Sequence, residues 1–186
     1  MHMRDPEVHL QSGLVVCRGA VDDYLVEQLD AEAAAMIELC VEPRDSSSKR
    51  SDGIVLSADF SVVSLVDFPA TQSICEELVE DDTPEGTITV NEQAPYAFQR
   101  FHGDMKLFPV AVVHVSGDGA LDYSLDPAVS VEETEGIEVI DTDLDIVNFK
   151  TISVLPGDVV IQMHPWKTHR GRNLGDSTRR ALAIHR

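Results

Sequence analysis

The side chains with the clearest chemical content are a few histidines, one aspartate and two arginines, set at particular spacings. In QRFHGDMKLF, residues 99–108, His102 and Asp104 flank a single glycine. Residues at i and i+2 of a strand point to the same face, so this imidazole and carboxylate can reach one metal ion. The pair alone is a weak signal, because short patterns recur by chance. Its position adds weight: it ends the run YAFQRF and stands just before the apolar run PVAVVHV. A third ligand then has to come from a later strand. PGDVVIQMHPWKTHRGRN offers His164 and His169, and Gly171 follows His169 by two residues. A glycine there lets a bound molecule approach the backbone closely. Two imidazoles and one carboxylate on one face of an octahedron suit Fe(II) and leave three positions open. Those positions suit a bidentate 2-oxo acid and then O2. Arg179 or Arg180, ten or eleven residues after His169, offers a planar fork for the far carboxylate of such an acid.

Neighbouring strand residues face opposite ways, so only one of the two arginines can serve. Arg180 is the expected choice, because Leu182 and Ile184 share its face and that face reads as inward. Gln99 and Tyr123 are candidates to touch the co-substrate from the barrel wall, against the plainer reading of packed strand residues. His164, Trp166, Arg172 and Asn173 are candidates for the mouth of the site; the plainer readings are an exposed turn and, for Trp166, partly buried core. His114, in mid-strand, reads as a hydrogen-bonded structural histidine, and His9 and His185 as exposed.

These residues need elements to hold them. GLVVC (13–17) reads as a strand. Asp22 or Asp23 can cap a helix in which Leu25, Leu29, Met36 and Cys40 share a face, running to about residue 42. A polar loop follows over 42–53, then short strands around 54–58 and 61–65, and a second helix over 70–80 with Ile74 and Leu78 inward. From residue 87 the chain becomes a series of strands: TITVN, YAFQRF, PVAVVHV, ALDYSL, IEVID, VNFKTISVL, DVVIQM and RALAIH. Turns such as SGDG and LPGD separate them. Strands at this spacing predict a sandwich or barrel of antiparallel sheets. The expected class is therefore α+β and mainly β, with two N-terminal helices packed on one sheet. Without a linker, the whole of 1–186 is expected to be one domain. Residues from about 10 to 85 would form the support, and those from about 86 to 186 the β-barrel core.

Composition bounds the function. A net charge of −19 in 186 residues argues against nucleic acid as partner. The charge is uneven: residues 1–149 carry a net −24 and residues 150–186 a net +5. The basic end is either a strand pair bridging to acidic neighbours or a local site for a small anion. No apolar run reaches the ~20 residues that cross a bilayer, and the N-terminus lacks the apolar stretch of a signal peptide. Cys17, Cys40 and Cys75 are widely spaced and odd in number, which fits a reducing, cytoplasmic setting without disulfides or a thiolate zinc site.

Residues from about 96 to 186 resemble the double-stranded β-helix core of the Fe(II)/2-oxoglutarate-dependent oxygenases, in a prolyl-hydroxylase-like layout. On that resemblance His102, Asp104 and His169 match the metal ligands of an HxD…H…R pattern. Arg180, or Arg179, matches the arginine that binds 2-oxoglutarate. LPGDVV resembles the turn before the distal strand, and GLVVCRGAVDDYLVEQLDAEAAAMI the opening strand and helix. Many relatives carry a Tyr-x-x-Gly block before the HxD pair, and RFHGD is open to being read as that block. The resemblance implies hydroxylation of a C–H bond in a small molecule or peptide side chain, with O2 consumed and succinate and CO2 as co-products. Two other readings stay open. One is a non-catalytic cupin-like or oxygenase-like binding module. The other is a cupin enzyme using His102, His164 and His169 with a metal and no 2-oxoglutarate. Substrate identity and oligomeric state are beyond the sequence.

Overall fold

The computed structural model describes residues 6–9, 13–39, 44–45, 51–52, 55–78, 86–99, 101–104, 109–125, 131–134, 137–140, 148–164 and 167–185. Only the backbone is described for residues 44–45, 51–52, 55, 57, 62–63, 104, 131–134 and 137–140.

In chain order the elements begin with β1 (Glu7–His9), β2 (Leu14–Cys17), α1 (Asp23–Leu39), β3 (Arg44–Asp45), β4 (Ser51–Asp52) and β5 (Val55–Ser61). A 3-10 turn (Val62–Asp67) and α2 (Pro69–Leu78) follow. Then come β6 (Thr87–Gln93), β7 (Phe98–Gln99), β8 (His102–Asp104), β9 (Val110–Ser116), β10 (Gly119–Ser124), β11 (Val131–Thr134) and β12 (Ile137–Ile140). The chain closes with β13 (Phe149–Val154), β14 (Val159–Gln162), β15 (His169–Asn173) and β16 (Arg179–His185). The major sheet runs β1-β2-β14-β9-β16-β6-β5-β3. The minor sheet runs β11-β12-β8-β15-β10-β13, with β7 alongside β15 and β4 on β7. Every pairing is antiparallel. From β6 to β16 the chain crosses back and forth between the two sheets, so the fold is a double-stranded β-helix, a jelly roll of cupin-like type.

The two helices cover the major sheet. Val26, Leu29, Ala33, Met36 and Ile37 form the buried stripe of α1. They meet Ile74 and Cys75 of α2 and the sheet residues Ile88, Val90, Val113, Val115, Leu182 and Ile184 in one apolar core. Asp22 caps α1, its Oδ1 accepting from the Leu25 N–H at 3.0 Å. Glu32 reaches from α1 to cap α2, accepting from the N–H groups of Ala70 (3.0 Å) and Thr71 (2.7 Å). The strand expected over 61–65 is instead the 3-10 turn. Leu65 drops into the helix-side core, and Ser64 Oγ donates to the Ser61 carbonyl at 2.7 Å, a local bond that takes the place of a ladder.

A second, smaller core fills the space between the sheets. Leu14, Val16, Leu121, Tyr123, Ile152, Val154 and Val160 form one part of it, and Val110, Val112, Ala181 and Ala183 another. The turn before β14 fixes where that strand starts. Gly157 sits at φ +88°, a conformation that suits glycine. The buried carboxylate of Asp158 accepts from the N–H groups of Gly19 (2.9 Å) and Leu155 (3.0 Å) and from Arg18 Nη1 (2.8 Å). None of the described helices is long and apolar enough to cross a membrane.

Candidate functional site

Strand register brings the two predicted histidines together. Tyr123 of β10 lies opposite His169 of β15, and His169 lies opposite His102 of β8. The three side chains therefore form one row on the inner face of the minor sheet. The rings of His102 and His169 are 4.7 Å apart at their centroids, and both residues are 4% exposed. Tyr123, also buried, stacks on His169 at 5.5 Å. The inward aim of His102 depends on a local irregularity. Phe98 pairs with Arg172 and His102 with His169, so four steps along one chain match three along the other. That extra residue turns Phe98 outward and His102 inward.

A neighbour fixes the tautomer of His169. Its Nδ1 lies 2.7 Å from the Lys167 carbonyl, which can only accept, so Nδ1 carries the proton and Nε2 the lone pair. That is the state in which an imidazole binds a metal. The backbone of Asp104 belongs to β8, two residues from His102 on the same strand. Its side chain lies outside the described residues. Among the described side chains, no group of three His, Cys, Asp or Glu residues gathers as a metal site.

Deeper between the sheets lies a buried cation. Arg179, 3% exposed, donates from Nη1 to Gln93 Oε1 at 2.8 Å and from Nη2 to His114 Nδ1 at 3.0 Å. Both partners are neutral acceptors, and among the described residues no carboxylate pairs with it. Burial pulls its pKa down to about 10. Burial, then the Arg179 guanidinium and Arg18, holds His114 well below the usual histidine range. Glycines make room for this side chain. A Cβ at Gly119 would strike Arg179 Nε, and one at Gly171 would come within 3.4 Å of Nη1. Gly171 is two residues past His169, so the guanidinium lies roughly 7 Å along the strand from the histidine row. Gln99 reaches the same place, its Oε1 accepting from the Gly171 N–H at 3.1 Å. Gln93 donates from Nε2 to the Gly171 carbonyl at 3.3 Å.

Several residues lie elsewhere than the sequence reading placed them. Arg180, the expected choice, faces the helices and is held by Asp30 (2.9 Å) and Glu92 (2.6 Å). The large apolar residues of β16, Leu182 and Ile184, pack under the helices, while the small Ala181 and Ala183 face between the sheets. The bulkier face was thus the outer one, and Arg179 shares the inner one. Arg172 is away from the mouth too. It lies on the outer face of the minor sheet, paired with Asp122 at 2.7 Å. Asn173 faces inward but at the far end of β15, where its Nδ2 donates to the carbonyls of Gln93, Ala94 and Ser177 and braces the turn into β16. His164 is exposed, its ring against Gly13. Trp166 lies outside the described residues. His114 is hydrogen-bonded as expected, but its place beside Arg179 was not foreseen; its inward parity with Val110 and Val112 was the available signal.

The outer face of the minor sheet mirrors the histidine row. Phe101 precedes His102, Arg170 follows His169 and Asp122 precedes Tyr123. Arg170 Nε donates to Asp122 Oδ2 at 2.8 Å, and its guanidinium carbon lies 4.3 Å from the Phe101 ring centre, with Phe98 at 5.1 Å and Phe149 at 5.7 Å. Asp122, fully buried, also accepts from Thr151 Oγ1 at 2.8 Å.

Compared by sequence, the chain matches no family model and no curated protein. Compared by structure, it shares its fold with enzymes. A Pseudomonas putida prolyl-4-hydroxylase superposes with TM-score 0.56 at 11% identity, over 94% of this chain and 91% of that one. SnoN, a non-heme alpha-ketoglutarate-dependent epimerase from nogalamycin biosynthesis, superposes with TM-score 0.58 at 16% identity, over 94% of this chain and 76% of that one. At these identities the likeness is one of fold.

Proposed function

We propose that this chain is an Fe(II)- and 2-oxoglutarate-dependent oxygenase that hydroxylates a C–H bond of a small molecule or peptide side chain. One observation carries the reading. Two buried imidazoles face each other on one row of the minor sheet, and a buried guanidinium with no carboxylate partner among the described residues lies deeper on the same inner face. A metal ion suits the first group and an organic anion the second. His102 and His169, with Asp104 as carboxylate, would hold Fe(II); Arg179 would hold the far carboxylate of 2-oxoglutarate. When bound, iron, 2-oxoglutarate and O2 together supply the oxidising power for a C–H bond and yield succinate and CO2.

The chain's own groups do the rest. The Lys167 carbonyl holds the His169 proton on Nδ1, so that Nε2 points its lone pair away from the backbone. Tyr123 packs flat on that ring and limits its rotation. Leu121, Val112, Val160 and Ala181 line the space between the sheets with apolar surface, which keeps water scarce around a reactive centre. Gly171 leaves backbone bare beside the anion site. Three widely spaced cysteines with no CxxC pair, and the acidic charge, fit a reducing cytoplasmic setting and a substrate other than nucleic acid.

The test is spectroscopic. Fe(II) and 2-oxoglutarate added without oxygen are expected to give the weak visible charge-transfer band of a chelated oxo acid, and Asp104→Ala is expected to abolish the band and the turnover. A binding module gives no metal binding and no band. A metal enzyme of another kind binds iron but gives no band with the oxo acid. Either result refutes the assignment.

A further inference from the structure

The buried pair Arg179–His114 contains more donor capacity than the described residues use. Arg179 Nη2 donates to His114 Nδ1, so that nitrogen holds a lone pair. A neutral imidazole with its lone pair on Nδ1 carries its proton on Nε2. The Nε2–H of His114 and the Nε–H of Arg179 are both fully buried and have no hydrogen-bond partner among the described residues. Buried donors left without acceptors are rare in native proteins, because each forfeits its hydration. Here two of them occur on side chains only 3.0 Å apart, at the inner end of the space between the sheets, where the guanidinium has only neutral partners among the described residues. His114 is 1% exposed, and no Asp or Glu pairs with either residue among those described.

We propose that His114 is a binding residue of the anion pocket, its Nδ1 holding the Arg179 guanidinium in place and its Nε2–H donating to the terminal carboxylate of a 2-oxo diacid. This rests on the reading of the chain as a 2-oxo-acid-dependent enzyme and specifies which acids it takes. A 2-oxo acid without a second carboxylate leaves the donors of both residues unpaired. A site built to hydrogen-bond a group rejects the analogue lacking it far more strongly than an apolar pocket does. His114 and Arg179 together therefore select the five-carbon diacid over a monoacid such as 2-oxobutyrate.

The experiment uses the full chain with Fe(II) under nitrogen, and titrates 2-oxoglutarate and 2-oxobutyrate separately by the charge-transfer band. His114→Phe keeps the ring volume and removes both nitrogens; His114→Gln keeps a donor and an acceptor. His114→Phe is expected to raise the Kd for 2-oxoglutarate about 10- to 150-fold, the range of one hydrogen bond to a charged group. The Kd for 2-oxobutyrate is expected to stay within twofold, and His114→Gln to recover most of the loss. Equal weakening of both acids, or no change in either, overturns the proposal and leaves the oxygenase reading standing. If the wild-type chain gives no band, that reading fails on its own. Calorimetry with succinate on metal-free protein then decides the pocket: succinate bound by wild type and lost in His114→Phe supports it, and no succinate binding overturns it.

Discussion

Adjacent arginines on one strand make a sharp internal control. Replacing Arg179 with Met keeps a long apolar side chain and deletes the guanidinium. If that group binds the far carboxylate of 2-oxoglutarate, the loss is at least one hydrogen bond between charged groups, about 1.5–3 kcal/mol, or roughly a 10- to 150-fold rise in Kd. The fold should tolerate it. Gln93 and His114 lose a donor, but a desolvated charge is removed at the same time, and the two effects oppose each other. Arg180→Met removes ion pairs to Asp30 and Glu92 on a partly exposed helix-side surface. Such pairs contribute about 0–1 kcal/mol each, so losing both should lower the thermal midpoint by no more than about 8 °C, at about 2–4 °C per kcal/mol for a chain of this size. The Kd for 2-oxoglutarate should not move. Both are read by anaerobic titration of the charge-transfer band beside thermal melts. Loss of binding in Arg180→Met with binding retained in Arg179→Met would show that the inner face of β16 has been assigned the wrong way round.

Two further outcomes follow from the same structure. His114 is neutral when folded and its pKa lies well below the usual histidine value, whereas in the unfolded chain it titrates near 6.5. The unfolded state therefore binds more protons between these two values, so stability falls as pH drops below about 6.5. Subtracting the pH–stability curve of His114→Phe from that of wild type should isolate a slope approaching ~1.4 kcal/mol per pH unit, and a flat difference would contradict the burial argument. Glu32→Ala removes two hydrogen bonds from the start of α2 and should cost about 0.5–2 kcal/mol by denaturant titration, with 2-oxoglutarate affinity unchanged.

Much of the architecture was legible because strand spacing and turn chemistry are local. The Pro156-Gly157-Asp158 turn, the Asp22 cap and the apolar stripe of α1 each declare themselves in a few residues. The pairing of His102 with His169 was anticipated through a pattern of residue types, not through geometry. What stayed hidden depends on long-range partners. The face of β16 was misjudged because Leu182 and Ile184 look inward by size, and only the helices above the major sheet explain why the bulky face is the outer one. The run Val62–Leu65 reads as strand by composition, but the 3-10 turn that leads into α2, with Leu65 buried in the helix-side core, overrides that preference. Arg172 looked like a mouth residue until Asp122, fifty positions earlier, claimed it.

The Arg170 cluster has a practical consequence. Phe101, Arg170 and Asp122 each neighbour in sequence one member of the Tyr123–His169–His102 row, and Arg170 grips the other two on the opposite face of the same three strands. Across a sheet one residue thick, brace and histidine row share a backbone. The spacing of the two imidazoles is thus adjustable from the other face: trimming or lengthening side chains at the brace retunes the inner pair without placing any new atom between the sheets.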